Sequence, residues 1–346
     1  MRRSIRYVPL VLLLAACPST DPVDDDDVVD DDDSTGGDDD DAVDDDDAVD
    51  DDDAVDDDDA TETFDCATAP EVASAPLVVS GPRGYHGLAL DDAGLMVGSD
   101  GTSLIKSDRA GDWSVFLPGQ PTFEQMGYLP DGDLVANDNV AGGIKRFTPQ
   151  GGSTTIAPGV SAYGLRVGPD GNIYTSGSGE IRRVDPTTGS STPVVNWTLD
   201  DEPHAFDWSP DFTRMYIGVI GSSNLYVVEL DATYTGITDP VVYATDVGDG
   251  WIDAVSTDAC GNLYAPEFWS RKFYKVDTAG NVSVYWDWED DRGGEGYGHG
   301  AIWGSGRHGW LEDALYLPMP YSNNQVQEMD IGVPGRRWRG TVLNGP

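Results

Sequence analysis

The sequence is poor in positive charge. It has 20 Lys and Arg residues against 63 Asp and Glu, a net charge of −43 at pH 7 over 346 residues. Without the 25 aspartates between Asp21 and Asp59, 38 acidic residues still oppose the same 20 basic ones. A nucleic-acid surface needs clustered Lys and Arg against the phosphates. The composition therefore argues against a nucleic-acid partner.

The apolar run near the N-terminus is too short to span a membrane. It covers residues 8–16 and follows a basic start at Arg2, Arg3 and Arg6. A helix needs about 20 apolar residues to cross a bilayer, so this pattern predicts a targeting segment instead.

The residues "LAAC" at 14–17 resemble the bacterial lipobox. The resemblance implies that residues 1–16 are a signal peptide and that Cys17 carries the lipid that holds the protein on a membrane. Pro18 stands where an Asp would resemble an inner-membrane retention signal. The resemblance therefore favours an outer-membrane lipoprotein of the cell envelope, facing the periplasm or the surface. A secretory signal peptide without lipidation is the alternative.

The acidic segment 17–62 has few apolar side chains to bury. Aspartate dominates it, and the six residues "AVDDDD" repeat near its end. Like charges repel one another along the chain, so the segment is predicted to be an extended, disordered tether. A spacer that holds a domain away from a membrane and a reservoir of bound cations are the two interpretations.

The sequence has only three cysteines. With Cys17 lipidated, Cys66 and Cys260 remain. In an oxidising compartment these two would pair as a disulfide, and two buried free thiols are the alternative.

Residues 63–346 lack helical periodicity and show an internal repeat instead. Each unit has an apolar strand, a turn rich in Asp, Pro and Gly, a second apolar strand and further short strands. The units begin at residues 86, 124, 163, 204, 253 and 299, at intervals of 38 to 49 residues. Four short strands in about 40–50 residues are typical of a propeller blade. We therefore predict an all-β domain, a monomeric six-bladed β-propeller.

The sixth repeat has no fourth strand of its own. The segment "APLVVSG" at 75–81 has the character of a strand and lies on the N-terminal side of the repeats. We expect it to complete the sixth blade and close the ring, because a closed ring protects its strand edges.

Histidine is scarce, and three of the four histidines begin a repeat. In a propeller, residues just before the inner strands converge at one mouth of the central channel. Six residues hold this position, and we call them the ring residues: His86, Glu124, Tyr163, His204, Asp253 and His299.

Five of the six ring residues have side chains that bind metal ions. Imidazole suits zinc and other first-row transition ions, and carboxylates neutralise charge or act as general bases. We predict that His86, His204, His299 and Asp253 hold a divalent metal ion. Tyr163 would orient substrate or donate a proton. A water-filled channel with a polar lining is the alternative.

Loops on the same face add further candidates: Asp100, Asp138, Glu267 and Arg271. Arg271 would bind an anionic group or pair with Glu267. The link at 286–300 is rich in glycine and would form a lid over the channel or a tight connection between blades.

Three turns carry a resemblance to a known family. They are "DWSPDFTRMYIG" at 207–218, "PDGNIY" at 169–174 and "ACGNLYAPEF" at 259–268. Residues 75–332 resemble the six-bladed propellers of the senescence-marker-protein/gluconolactonase-like family. The resemblance implies a divalent cation, commonly calcium, held by a Glu in the first blade, an Asn in the fourth and an Asp in the fifth. It also implies that this Asp is the catalytic base.

The ring departs from that family at two positions. Asp253 matches the Asp, but His86 stands at the Glu and His204 at the Asn. The change from oxygen to nitrogen donors favours zinc, iron or manganese over calcium. A three-histidine propeller site also resembles the peptidyl-hydroxyglycine amidating lyases, which hold zinc. Virginiamycin B lyase-like propellers share the "PDGN" turns and use histidine but have seven blades, whereas this sequence has six repeats.

These features predict a membrane-anchored, extracytoplasmic, metal-dependent hydrolase or lyase that acts on a small ester, a lactone or a related molecule. Asp253 and Glu124 are the expected bases, with Tyr163 as their partner in catalysis. A non-catalytic surface scaffold that binds a protein or a polysaccharide is the alternative, because a fold by itself does not specify function.

Overall fold

In the computed structural model, the described residues are 64–70, 74–83, 86–120, 123–138, 142–160, 163–177, 179–289 and 297–336. They form one short 3-10 helix, Cys66–Thr68, and 24 β-strands. The predicted signal peptide, Cys17 and the acidic tether lie outside these residues, as do residues 290–296 of the glycine-rich link. No helix in the described part of the chain is long and apolar enough to cross a membrane.

The strands form six antiparallel sheets of four strands each. Strand β1 (Leu77–Val79) comes first in the chain. The first blade contains β2 (Ala89–Leu90), β3 (Met96–Ser99), β4 (Leu104–Ser107) and β5 (Trp113–Leu117). The second contains β6 (Met126–Tyr128), β7 (Leu134–Asn137), β8 (Ile144–Phe147) and β9 (Ser153–Ala157). The third contains β10 (Leu165–Val167), β11 (Ile173–Gly177), β12 (Glu180–Val184) and β13 (Ser191–Val195).

The last three blades follow the same plan. The fourth contains β14 (Glu202–Trp208), β15 (Arg214–Ile220), β16 (Leu225–Glu229) and β17 (Val241–Ala244). The fifth contains β18 (Ser256–Thr257), β19 (Leu263–Glu267), β20 (Lys272–Val276) and β21 (Val282–Asp287). The sixth contains β22 (Ile302–Trp303), β23 (Ala314–Met319), β24 (Gln325–Asp330) and β1. The predicted six-bladed propeller is confirmed.

An N-terminal strand closes the ring. Strand β1 pairs antiparallel with β24, with Leu77 opposite Glu328 and Val79 opposite Val326. The sixth blade therefore mixes the two ends of the folded domain, as the sequence predicts. Its outer strand covers an edge that would otherwise be open to pairing with another chain.

The first hairpin of a blade has a tight turn that contains a residue with a positive φ. In the third blade, Gly171 has a φ of 76°, a conformation that favours glycine. Asp170 Oδ1 accepts a hydrogen bond of 3.1 Å from the backbone N–H of Asn172 in the same turn. The fourth blade has Phe212 at the corresponding position, with a φ of 59°. Its ring lies 4.8 Å from the guanidinium of Arg336, a packing contact that glycine cannot make.

Large aromatic side chains fill the space between and within blades. Tyr174 and Trp208, from the third and fourth blades, are fully buried and meet edge to face with ring centroids 5.1 Å apart. Trp310 and Tyr316 pack in the same way at 4.9 Å. Aromatic side chains bury the most apolar area per residue, so these contacts contribute strongly to the hydrophobic stabilisation of the ring.

Cys66 and Cys260 form a disulfide, with their Cα atoms 5.6 Å apart. Cys66 begins the 3-10 helix, and Cys260 lies in the turn between β18 and β19. The bond therefore fixes the segment before β1 to the fifth blade, whereas β1 itself belongs to the sixth.

Candidate metal centre

All six ring residues line one cavity of about 30 Å³ at a mouth of the central channel. Five of them lie two or three residues before an inner strand, and His204 lies within β14. The structure thus brings together every residue that the repeats place at this position.

Asp253 is the most buried of the ring residues, with 2% of its side chain exposed. Its Oδ1 lies 3.3 Å from Nε2 of His204, and its Oδ2 lies 3.6 Å from Nδ1 of His299. The indole N–H of Trp251 donates a hydrogen bond of 2.7 Å to Oδ1. The carboxylate is therefore held in one orientation between two imidazoles.

The other ring residues extend this cluster in both directions. Nδ1 of His86 lies 3.1 Å from Oε2 of Glu124. The ring of His86 meets the ring of His299 edge to face, with centroids 4.8 Å apart. On the other side, the ring of Tyr163 lies 5.2 Å from that of His204. The six side chains form one continuous series of contacts from Glu124 to Tyr163.

His204 sits at a β-bulge. The pairing of β14 with β15 shifts register between Pro203 and Ala205, so His204 is an extra residue in its strand. Its carbonyl accepts a hydrogen bond from the hydroxyl of Ser176. A Cβ at residue 164 would come 2.5 Å from this carbonyl, which explains Gly164. Because a bulge changes the direction of a side chain, it accounts for an imidazole that faces the channel from within a strand.

Burial affects the protonation state of His299. It lowers the pKa of His299 below the ordinary value, although the Asp253 carboxylate opposes the shift. His299 is therefore a neutral imidazole near pH 7, which is the form that binds metal ions. Burial also raises the pKa of Tyr321, with Glu124 and Asp253 adding to the shift, so this phenol keeps its proton.

The donor atoms at this mouth fit a divalent transition-metal ion. Nδ1 of His204, Nε2 of His299 and Oδ2 of Asp253 are buried and make no hydrogen bond, and the 3.1 Å contact of His86 Nδ1 lacks the angles of one. Buried polar atoms normally have partners, so this set indicates a site for a ligand. The other nitrogen of each of these two rings, Nε2 of His204 and Nδ1 of His299, is the one that faces Asp253.

The site is not fully arranged for an ion. Among the described residues, no group of three or more His, Cys, Asp and Glu side chains already surrounds a single point at coordination distance. The imidazoles would have to rotate to direct their unpartnered nitrogen atoms toward one ion.

Five aromatic side chains stand beside the ring, and we call them the aromatic wall: Trp251, Phe268, Trp269, Tyr297 and Tyr321. Phe268 is central, with ring centroids 5.4 Å from Trp251, 5.0 Å from Trp269 and 4.9 Å from Tyr297. Trp269 and Tyr321 are 56% and 60% exposed. The wall comes from separate loops without a repeat, so the periodicity of the sequence does not predict it. The dipeptide "FW" at 268–269 is the one local signal.

Two of the loop candidates, Asp100 and Asp138, interact with residues close to them in the sequence. Asp100 Oδ1 accepts hydrogen bonds from the backbone N–H groups of Thr102 and Ser103, which lower the pKa of Asp100. Asp138 forms an ion pair of 2.6 Å with Lys145. Both carboxylates stabilise a turn or a strand pair, and neither lines the cavity of the ring residues.

Glu267 and Arg271 support the aromatic wall. Glu267 is fully buried, and its two oxygens accept hydrogen bonds of 2.7 Å from the N–H of Trp251 and 2.6 Å from the N–H of Ser270. The guanidinium of Arg271 lies 4.7 Å from the ring centre of Tyr297. Glu267 thus positions Trp251, which in turn holds Asp253.

Arg166 forms the floor of the cavity. Its Nε donates a hydrogen bond of 2.9 Å to the carbonyl of Phe206, and its Nη2 donates one of 2.7 Å to the carbonyl of Val255. The side chain therefore crosses the channel from the third blade to the fourth and fifth. The sequence signal for it is an arginine in the inner strand "LRV" at 165–167.

Solved structures with the same fold are known for several proteins. A gluconolactonase from Xanthomonas campestris is 16% identical with a TM-score of 0.59, over 75% of this chain and 89% of that one. The calcium-binding protein regucalcin from Agrobacterium tumefaciens is 18% identical with a TM-score of 0.60, over 77% and 97%. Virginiamycin B lyase from Staphylococcus aureus is 14% identical with a TM-score of 0.52, over 74% and 98%.

Neither a protein-family model nor a curated protein matches the sequence. The solved structures show that the chain is similar to gluconolactonase-like propellers in fold, which confirms the resemblance at the level of the fold. At identities this low, the chemistry has to be argued from the ring residues themselves.

Proposed function

We propose that the protein is a metal-dependent hydrolase or lyase that acts on a small ester, lactone or related molecule at the mouth of the channel. One observation carries the proposal: His204, His299 and Asp253 line one cavity, and each has a buried donor atom without a hydrogen-bond partner. The fold shared with a gluconolactonase supports the same reaction class by likeness.

His86, His204, His299 and Asp253 would hold the ion, with zinc, iron or manganese preferred over calcium because three of the four donors are nitrogens. A divalent ion held there supplies Lewis acidity, which polarises a substrate carbonyl. The regucalcin structure, described as that of a calcium-binding protein, has the same fold and supports a divalent ion in this proposal.

The two carboxylates have different roles in this proposal. Asp253 is almost fully buried, and its Oδ1 already accepts the Trp251 hydrogen bond, so it orients the imidazoles and binds the ion. The side chain of Glu124 is 36% exposed and lies beside His86. Glu124 is therefore placed to take a proton from water or substrate at the open edge of the cavity. Tyr163, across the ring, orients the substrate.

The aromatic wall selects substrates with a ring or another apolar face. Its exposed members, Trp269 and Tyr321, stand next to the imidazoles rather than on a remote surface. Aromatic faces bind flat apolar groups by area burial and by stacking. Replacing Trp269 by Ala is expected to raise KM for an aryl ester several-fold and to leave kcat nearly unchanged.

Metal analysis of purified residues 61–346 tests the proposal. The wild-type protein, dialysed without chelator, should hold one transition-metal ion per chain, and His204→Ala should lose it together with lactonase and aryl-esterase activity. His308→Ala is the matched control, because His308 is exposed and outside the ring. Metal content and activity that are equal in both variants and in the wild type would overturn the proposal.

A non-catalytic scaffold that binds a polysaccharide or a protein is the second candidate. The exposed aromatic wall favours it, since aromatic side chains also bind sugar rings. Binding of an oligosaccharide that survives His204→Ala and is lost in Trp269→Ala would support the scaffold over the enzyme.

The lipid anchor and the acidic spacer complete the proposal. The supporting features are the "LAAC" sequence and the charge of residues 17–62, which lie outside the described residues. They would hold a monomeric propeller away from the outer membrane, on its periplasmic or surface side. Labelling with radioactive palmitate tests this: the label should enter the wild type and be absent from Cys17→Ala, and equal labelling would refute the anchor.

A further inference from the structure

A second, larger cavity occupies the other side of Arg166. Its volume is about 220 Å³, and it is lined by the inner strands of all six blades and by Arg336. Four residues line both cavities: Gln125, Leu165, Arg166 and Ala301.

The walls of the lower cavity are mostly apolar. They include Leu88, Met126, Leu165, Val167 and Ile302. Of its lining, Leu90, Ile302 and Trp303 are partly exposed, so solvent reaches the cavity. A volume of about 220 Å³ exceeds the roughly 150 Å³ of an engineered apolar cavity that binds benzene. There is room for a six-membered ring with one polar substituent.

Three polar groups in this lining lack hydrogen-bond partners. They are the hydroxyl of Tyr128, the hydroxyl of Thr257 and the indole N–H of Trp303. Tyr128 and Thr257 are more than nine-tenths buried. Burial raises the pKa of Tyr128, so its hydroxyl keeps the proton and remains a donor. Buried donors without partners are uncommon in folded proteins, and these three belong to residues that line one cavity.

Near Thr257, the charged side chains of the lining are Arg166, Arg336 and Asp207, which sum to one positive charge. Arg166 and Arg336 stand against Asp207, which accepts a 2.6 Å hydrogen bond from Arg336 and lies 3.9 Å from Arg166. The nearby Asp91 is neutralised by Lys106 at 2.8 Å. An anionic group would complete the balance, and a carboxylate accepts hydrogen bonds from guanidinium, hydroxyl and indole donors alike.

We propose that the lower cavity binds a small carboxylate with an aromatic or alicyclic ring, at a site separate from the metal centre. The ring would lie against the apolar walls, and the carboxylate would accept hydrogen bonds from Tyr128, Thr257 and Trp303 near the two arginines. The site does not depend on the proposed metal chemistry.

Isothermal titration of the purified protein with benzoate tests the proposal. Benzoate should bind about tenfold more tightly than benzyl alcohol, which keeps the ring without the charge, and than acetate, which keeps the charge without the ring. Thr257→Val and Tyr128→Phe should each raise the Kd for benzoate about threefold to tenfold. Thr155→Val, on an exposed position of β9, should leave it unchanged.

Neither lining variant should fail to fold, because each removes a hydroxyl that has no partner and keeps the shape of the side chain. Benzoate affinity should also be the same in His204→Ala, which places the ligand away from the metal centre. Loss of binding in His204→Ala with no change in Thr257→Val would overturn the proposal. Absence of benzoate binding, or equal binding of benzyl alcohol, would overturn it as well.

Discussion

The indole N–H of Trp251 and Oδ1 of Asp253 form a 2.7 Å hydrogen bond, and the same oxygen lies 3.3 Å from His204. The bond fixes a carboxylate that contacts two of the three imidazoles. Partners that orient a metal ligand typically change metal affinity about 10–100-fold when removed.

Trp251→Phe should therefore weaken metal binding about 10–100-fold while an aromatic ring stays in the wall. Competition with a chelator of known affinity measures the change. Trp269→Phe is the matched control, because Trp269 belongs to the same wall and is half exposed. Equal affinities for the two variants would show that the hydrogen bond does not orient Asp253.

Loss of the disulfide should lower stability. The bond closes a loop with a sequence separation of 194 residues, and removing a disulfide of this kind costs about 2–5 kcal/mol. Urea unfolding of a Cys66→Ser, Cys260→Ser double variant measures the loss. A reductant should destabilise the wild type to a similar extent and leave the double variant unaffected; a wild type insensitive to reduction would contradict the prediction.

The ring-closing strand should be required for a soluble monomer. A chain that starts at residue 74 keeps β1, and one that starts at residue 82 lacks it, whereas both lack Cys66. Because an open β24 edge can pair with other chains, the shorter protein should aggregate and unfold at a lower temperature. Light scattering and thermal unfolding compare the two, with Cys260→Ser in both. Identical behaviour would mean that the sixth blade is stable with three strands.

The buried ion pair of Arg336 and Asp207 should make stability depend on pH. Burial would raise the pKa of Asp207, but Arg336, Arg166 and the N–H groups of Thr257 and Trp208 outweigh burial and hold the pKa below its ordinary value. The folded pKa is thus below the unfolded one, about 3.9. The stability contributed by Asp207 is complete above that pH and is lost as the pH falls through the folded pKa.

Arg336→Met leaves the buried carboxylate without its closest cation and should cost about 3–5 kcal/mol at pH 7. The difference in unfolding free energy between the variant and the wild type should shrink as the pH falls toward about 3. Without Arg336, Asp207 becomes protonated at a higher pH in the variant than in the wild type. Urea unfolding at several pH values measures it. Arg214→Met, which removes a half-exposed pair with Glu229, should cost no more than about 1 kcal/mol. If the stability difference between Arg336→Met and the wild type does not change with pH, the ion pair with Asp207 is not its cause.

The six blades and the ring residues follow from the sequence because each blade repeats a hairpin at a regular spacing. Five ring residues precede their inner strands by two or three residues and His204 lies within its strand, but all six keep nearly the same distance from the turn that follows, so aligning the turns is sufficient to find them. The same regularity exposed the incomplete sixth blade and the strand that completes it.

Features without a repeat were missed. The aromatic wall combines loops after different strands, and Arg336 follows the last repeat before it enters the channel beside Asp207. The bulge at His204 depends on the local pairing of β14 with β15, which a one-dimensional pattern does not contain. Periodicity therefore located the centre of the site, and long-range packing determined its surroundings.

The disulfide also has a mechanical consequence. Cys66 precedes β1 in the chain, so tension applied through the N-terminal segment reaches the covalent bond to Cys260 before it reaches β1. The load passes into the fifth blade, and the three-residue strand that closes the ring is relieved of it. A pull on this segment would therefore load the sulfur–sulfur bond before it loads the pairing of β1 with β24.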